Sequence, residues 1–188
     1  MNLEPTPVPV IAVIGSASAL EPAITALCEE LGGALMAAGF RLVTGGCGGV
    51  MEAVARGARQ HPAWVEGRIV ALLPSYRRSE ANAFCDIVIP TGLQLARNVL
   101  VVASADVVIA IDGGAGTLSE VALAWQLDRP VVTLGSSGWA GRLAGEKLDH
   151  RSDQRLEPAT SVDSAMRLCR SLLARNREAG DIGSRRRI

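Results

Sequence analysis

The chain has 188 residues, with 19 Lys plus Arg balanced by 19 Asp plus Glu, and 48% of its residues are hydrophobic. That length fits one domain with a substantial core, and the charge balance gives no case for nucleic acid as a partner. No apolar stretch is long enough to span a membrane, so no membrane association is expected.

Residues 1–8, beginning Met1-Asn2-Leu3-Glu4-Pro5, lack a basic segment and are read as an N-terminal extension rather than a signal peptide. A first strand is expected near Val10–Gly15, leaving through Gly15-Ser16-Ala17-Ser18 into a helix near Glu21–Ala38. A second strand, Arg41–Thr44, runs into Gly45-Gly46-Cys47-Gly48-Gly49 and then a helix near Gly49–Gln60 that includes Met51. Strands near Arg68–Leu73 and Asp86–Ile89 flank the polar segment Pro74–Asn82, which fits a loop bordering a site and a solvated connector equally well. A helix near Leu93–Ala103 carries Arg97 and Asn98 and is apolar on nearly every side.

The strand Val107–Ile111 then meets Asp112-Gly113-Gly114-Ala115-Gly116-Thr117-Leu118-Ser119-Glu120, with a helix expected near Thr117–Leu127. A strand at Val131–Leu134, a short helix after Trp139 and a helix near Val162–Asn176 complete a single domain over residues 9–178. Residues 179–188, small and polar and then basic, have the composition of a disordered tail.

Apolar strands alternating with helices predict a Rossmann-like open α/β fold, with a mainly parallel sheet and helices on both faces. In such sheets ligands bind beyond the carboxyl ends of the strands. Two glycine-rich strand exits therefore point to one shared pocket for a small phosphorylated ligand. Missing side chains let backbone N–H groups converge on an anion, and a following helix adds its positive end. The glycines do not spell G-x-G-x-x-G, and no P-loop lysine follows them, so NAD binding and ATP hydrolysis are not indicated. Cys28, Cys47, Cys85 and Cys169 lack metal or redox spacing, and His61 and His150 are the only histidines. Reduced thiols in a cytoplasmic protein without a metal centre are expected.

Gly113-Gly114-Ala115-Gly116-Thr117-x-x-Glu120 resembles the GGxGTxxE motif of the LOG (lonely guy) family and the wider SLOG superfamily. Gly15-Ser16-Ala17-Ser18 looks like that family's first nucleotide-contacting turn, and Thr44-Gly45-Gly46 through Gly49-Val50-Met51 looks like its TGGxxGxM-type loop. The resemblance covers about residues 9–135 and extends plausibly to the remaining helix. It implies a ligand site formed by Gly15, Ser16, Gly45, Gly46, Gly49, Met51, Arg97, Asn98, Gly113, Gly114, Gly116, Thr117 and Glu120. In LOG phosphoribohydrolases an arginine on the preceding helix acts with the motif glutamate, and Arg97 and Glu120 fall at the matching places. Asp112 stands where those enzymes usually have proline, and Leu95-Ala96-Arg97-Asn98 replaces a more polar motif. Ala96-Arg97-Asn98-Val99-Leu100 followed by Ser104-Ala105-Asp106 looks closer to the molybdenum cofactor carrier branch. Three functions follow from the resemblance: a carrier of a phosphorylated nucleotide-like or pterin-like ligand, with no cofactor required and the molybdenum cofactor, an oxyanion or a nucleotide monophosphate as the bound species; a hydrolase releasing free base and ribose 5-phosphate from nucleoside 5′-monophosphates through Arg97 and Glu120; or a regulatory nucleotide sensor. It also implies a homodimer or higher homo-oligomer, and the apolar Arg97 helix is the expected contact.

Several residues admit two roles. Arg97, expected to be partly buried, needs an anion, which could be Asp106, Asp112, Glu120 or a ligand phosphate. Thr117-Leu118-Ser119-Glu120 matches a capping box in which Thr117 caps the helix and Glu120 returns a bond to the Thr117 N–H; alternatively, Glu120 serves a glycosidic bond. Asp112 could form an Asx-type turn or meet a sugar, pterin or cation. Cys47 could contact ligand or simply be a small residue tolerated in a tight turn.

Overall fold

The apolar run Val107–Ile111 forms a strand buried at every position, which requires cover on both faces of the sheet. The computed structural model of the chain describes residues 7–150 and 153–178. In chain order the elements are β1 (Val10–Gly15), α1 (Pro22–Ala37), β2 (Arg41–Thr44), α2 (Val50–Gln60), β3 (Ile69–Leu73), β4 (Ile87–Pro90), α3 (Asn98–Ala103), β5 (Val107–Ile111), α4 (Ala115–Gln126), β6 (Val131–Leu134), α5 (Gly138–Arg142), β7 (Glu157–Ala159) and α6 (Val162–Glu178). Short 3-10 turns occupy Arg78–Glu80 and Gln94–Arg97. Among the described residues no helix is long and apolar enough to cross a membrane.

The seven strands form one sheet in the order β4-β3-β2-β1-β5-β6-β7, and every pairing is parallel. The order reverses between β1 and β5, where Gly15 is in register with Ile111. Loops leaving two neighbouring strands in opposite directions open a crevice at their carboxyl ends. Alternate residues feed two cores. Ile11, Val13, Leu42, Ile69, Val107 and Ile109 pack toward α1, α2 and α6, whereas Ala12, Ile14, Val43, Val108 and Ala110 pack toward α3, α4 and α5. Helices α1 and α2 cross closely because Gly32 and Gly57 have no side chains. A Cβ on Gly57 would overlap the backbone of Glu29, and one on Gly32 would overlap Val54 and Ala58.

The second face is incompletely covered. Ile87 and Ile89 of β4 are in register with Val70 and Leu72, which contribute to that face, yet remain 44% and 43% exposed. Leu93, Leu95, Val99, Leu100 and Tyr76 are exposed as well.

The structure differs from the sequence-based expectations in three places. The sheet is parallel throughout, in keeping with the expected class, but it has a seventh strand, β7, which the sequence hides because three residues with a central Pro158 show no alternation. The helix expected over Leu93–Ala103 divides into a 3-10 turn and a six-residue α3, after left-handed backbone at Gly92 and Gln94. Helix α4 begins at Ala115, two residues before the expected Thr117. The expected disordered tail at 179–188 lies outside the described residues, as do residues 1–6 of the N-terminal extension.

Since the α1–α2 crossing has no room for a methyl group, Gly57→Ala is expected to lower stability by about 2–3 kcal/mol, measured by urea denaturation. A change below about 0.5 kcal/mol would mean the helices separate freely.

Candidate functional site

Both glycine-rich loops leave the sheet at its carboxyl end, and a cavity of about 330 Å3 opens between them. Its wall includes Gly15, Ser16, Met51, Arg97, Asn98, Gly114, Gly116, Thr117 and Glu120, together with Ala17, Ser18, Cys47 and Leu95. The volume falls at the low end of the range for small-molecule sites.

The first loop shapes one side. Gly49 has φ 61, and a Cβ there would overlap the carbonyls of Ser16 and Ser18, so α2 starts directly against the β1 turn. The Val50 N–H donates to the Ser16 carbonyl at 2.9 Å, locking the two segments together. Asn82 supports this loop from behind: its backbone N–H and Nδ2 both donate to the Gly46 carbonyl, and Nδ2 also donates to the Cys47 carbonyl. The polar segment Pro74–Asn82 therefore braces the loop, but it does not line the cavity.

Helix α4 forms the opposite side. Its N-cap is Gly114, with no side-chain cap bond, so the first N–H groups of the helix face outward with the positive end of its dipole. At Gly114 and Gly116 a Cβ would meet nothing within 4 Å, which leaves the approach to that helix end open.

Arg97 lies between the two sides. The residue is 8% exposed, and its guanidinium stacks on Gly45 so closely that a Cβ at Gly45 would overlap it. One nitrogen, Nη1, contacts Glu120 Oε1 at 3.4 Å, while Nε is buried without a hydrogen-bond partner. A single long contact under-satisfies a buried cation that has five N–H donors. Glu120 is 7% exposed, and burial pushes its carboxyl up to about 7 against the lowering influence of Arg97. The next residue, Asn98, is 6% exposed and donates through Nδ2 to Ser119 Oγ at 3.2 Å.

These contacts decide among the roles left open by the sequence. Arg97 takes Glu120 as its protein partner; Asp106 instead accepts from the Val10 N–H at 2.8 Å. The capping box is overturned: Thr117 is the third residue of α4, and the Glu120 carboxylate turns to Arg97. The geometric reason is that the helix starts on Gly114, whose lack of a side chain permits the open turn. No Asx hydrogen bond forms at Asp112, which turns through a left-handed backbone (φ 53) while its carbonyl accepts from the Ala140 N–H. Its carboxylate acts on Cys28, whose thiol burial and then Asp112 push up to about 12. Cys47 reaches the cavity wall.

Four residues named for the site stand behind the wall rather than on it. Gly45 backs Arg97, Gly46 faces Ala71 and Leu73, Gly49 abuts the β1 turn, and Gly113 packs on Thr117. Leu95, missed by the sequence reading, lines the mouth while 81% exposed. Neither histidine borders the cavity. Among the described residues no cluster of three or more His, Cys, Asp or Glu could hold a metal ion.

Comparison with known proteins places the chain in a family. The model of the SLOG cluster4 family matches residues 8–166. A cytokinin riboside 5′-monophosphate phosphoribohydrolase from Mycobacterium marinum is 30% identical, with the match covering 85% of this chain and 92% of that protein. The structure of a molybdenum cofactor binding protein from the phototrophic bacterium Rippkaea orientalis aligns with TM-score 0.78 and 34% identity, over 89% of this chain and 98% of the other. The molybdenum cofactor carrier protein of Chlamydomonas reinhardtii aligns with TM-score 0.74 and 31% identity, over 88% and 99% of the two chains.

The raised Glu120 carboxyl makes a stability prediction. The folded chain holds this proton more tightly than the unfolded one, so the contribution is fully present below about pH 4.5 and lost as pH rises to about 7. Glu120→Gln should remove that loss. Relative to wild type, the variant should gain on the order of 3 kcal/mol between pH 4 and pH 8. Denaturant titrations of both proteins across that range measure it, and parallel pH profiles would refute the assignment.

Proposed function

The chain belongs to the SLOG cluster4 family, and on that premise we propose that it binds a phosphorylated pterin, the molybdenum cofactor or a close relative, as a carrier. The observation that carries this reading is the buried Arg97 guanidinium, with its unpartnered Nε, on the wall of a cavity bounded by the α4 N-terminus. A phosphate there would supply the negative charge that Glu120 only partly provides, and the first N–H groups of α4 would donate to its oxygens. The molybdenum cofactor proteins of Rippkaea and Chlamydomonas, alike over nearly their whole length, support the same ligand class.

Glu120 favours binding over hydrolysis. A bound phosphate adds a second negative charge beside a carboxyl already pushed up to about 7, so the group takes up its proton when ligand is present. A neutral carboxyl donates a hydrogen bond to the ligand, but it stabilises a cationic sugar poorly. The hydrolase reading rests on the same pair and on the Mycobacterium relative. In it Arg97 anchors the 5′-phosphate, ionised Glu120 steadies the ribose cation as the N-glycosidic bond breaks, and water adds to give free base and ribose 5-phosphate.

The uncovered β4 and α3 surface further supports a homodimer, in which a second copy covers Ile87, Ile89, Val99 and Leu100.

Purified protein incubated with a panel of nucleoside 5′-monophosphates should release no base above the spontaneous rate, and mass spectrometry should find a pterin phosphate bound. Arg97→Ala should weaken binding of that ligand at least tenfold. Base release that Glu120→Gln lowers by about 100-fold would replace the carrier with the hydrolase. Light scattering should report a dimer at micromolar concentration, and Leu100→Glu should yield a monomer.

A further inference from the structure

Proton bookkeeping around Asn98 determines which face of its amide meets the cavity. Ser119 Oγ lies 2.6 Å from the Gly116 carbonyl, which can only accept, so the single hydroxyl hydrogen is committed to that contact. Ser119 Oγ is therefore an acceptor toward its other neighbour, the Asn98 side chain at 3.2 Å, and the amide atom there must be Nδ2. Oδ1 is turned away from Ser119 and accepts no hydrogen bond from the described residues. Oδ1 is nevertheless not sealed off from solvent. Asn98 is only 6% exposed and lines the cavity, which is the open space beside it.

Two neighbouring parts of the wall offer donors. Arg97 has no acceptor at all, and the first turn of α4 presents N–H groups. Phosphoryl oxygens fit those groups and would be repelled by an amide oxygen. We propose that Asn98, held in one orientation by the Gly116–Ser119 contact, is a specificity-determining residue that selects ligands carrying an O–H or N–H donor near the phosphate.

This assignment rests on the reading of the cavity as a phosphorylated-ligand site. Two sources of donor share the chemistry: sugar hydroxyls, and the amino and ring N–H groups of a pterin. A ligand lacking the donor leaves Oδ1 desolvated and unpaired, which is costlier than never having presented an acceptor.

Isothermal titration calorimetry with two ligand pairs tests the proposal and separates the sources. One pair is adenosine 5′-monophosphate and its 2′,3′-dideoxy form, and the other is 6-hydroxymethylpterin monophosphate and its 2-desamino form. Wild-type protein should bind the donor-bearing member of one pair about tenfold or more tightly than its counterpart. In Asn98→Leu, checked for folding by circular dichroism, that ratio should fall to near one while affinity for the donor-lacking member is retained. Ser119→Ala, which frees the amide to rotate, should reduce the ratio with Asn98 still in place. A ratio unchanged in Asn98→Leu, or a uniform loss of affinity for both members, overturns the assignment and leaves the phosphorylated-ligand reading standing. Failure of wild type to bind any of the four ligands overturns that reading and the assignment with it.

Discussion

A guanidinium taken out of water is tolerated only where negative charge and hydrogen-bond acceptors meet it. Arg97 is such a group, and the chain gives it one carboxylate at 3.4 Å while leaving Nε bare. Much of the site is arranged around that imbalance. Gly45 is a glycine because the guanidinium lies flat against its Cα. Glu120, on the helix that leaves central β5, meets Arg97 and is buried enough to hold its proton near neutral pH. Asn98, one residue on, is pinned by Ser119 at the start of the adjoining helix. The cavity thus sets an under-satisfied guanidinium beside a helix N-terminus, an arrangement whose charge complements an anion.

The sheet places this arrangement where it can be reached. Because strand order reverses at β1 and β5, the turn after Gly15 and the loop after Asp112 diverge, and the glycine loop that follows β2 enters alongside. Supports outside the cavity hold these loops. Asn82 binds the Gly46 and Cys47 carbonyls, and Asp86, nearly fully buried, accepts from Arg59, Trp64 and the Ile69 N–H to tie α2 to the β3–β4 edge. The same edge leaves Ile87 and Ile89 uncovered, so the bracing of the site and the unfinished apolar face belong to one region of the fold. Cys28 and Cys169 take no part in this chemistry, since burial holds their thiols near 12 and they act as small apolar side chains.

The amino-acid sequence by itself determined the α/β class, six of the seven strands to within about a residue, and the two glycine exits. Those features are local: apolar runs of strand length, helical periodicity and missing side chains are written in adjacent residues. The motif Gly113–Glu120 likewise marked Glu120, and the family resemblance it carries pointed to Arg97. What it could not decide was how distant groups share one another. Thr117-Leu118-Ser119-Glu120 is a complete capping box as text, but a helix begun on Gly114 and a cation 23 residues away turned Glu120 to a different partner. Whether Gly45 lines the cavity or backs its arginine, which end of the Asn98 amide meets Ser119, and which face of β4 stays bare were all settled by tertiary structure. Each depends on which side chain arrives within a few ångströms from another part of the chain, and no local pattern carries that distance.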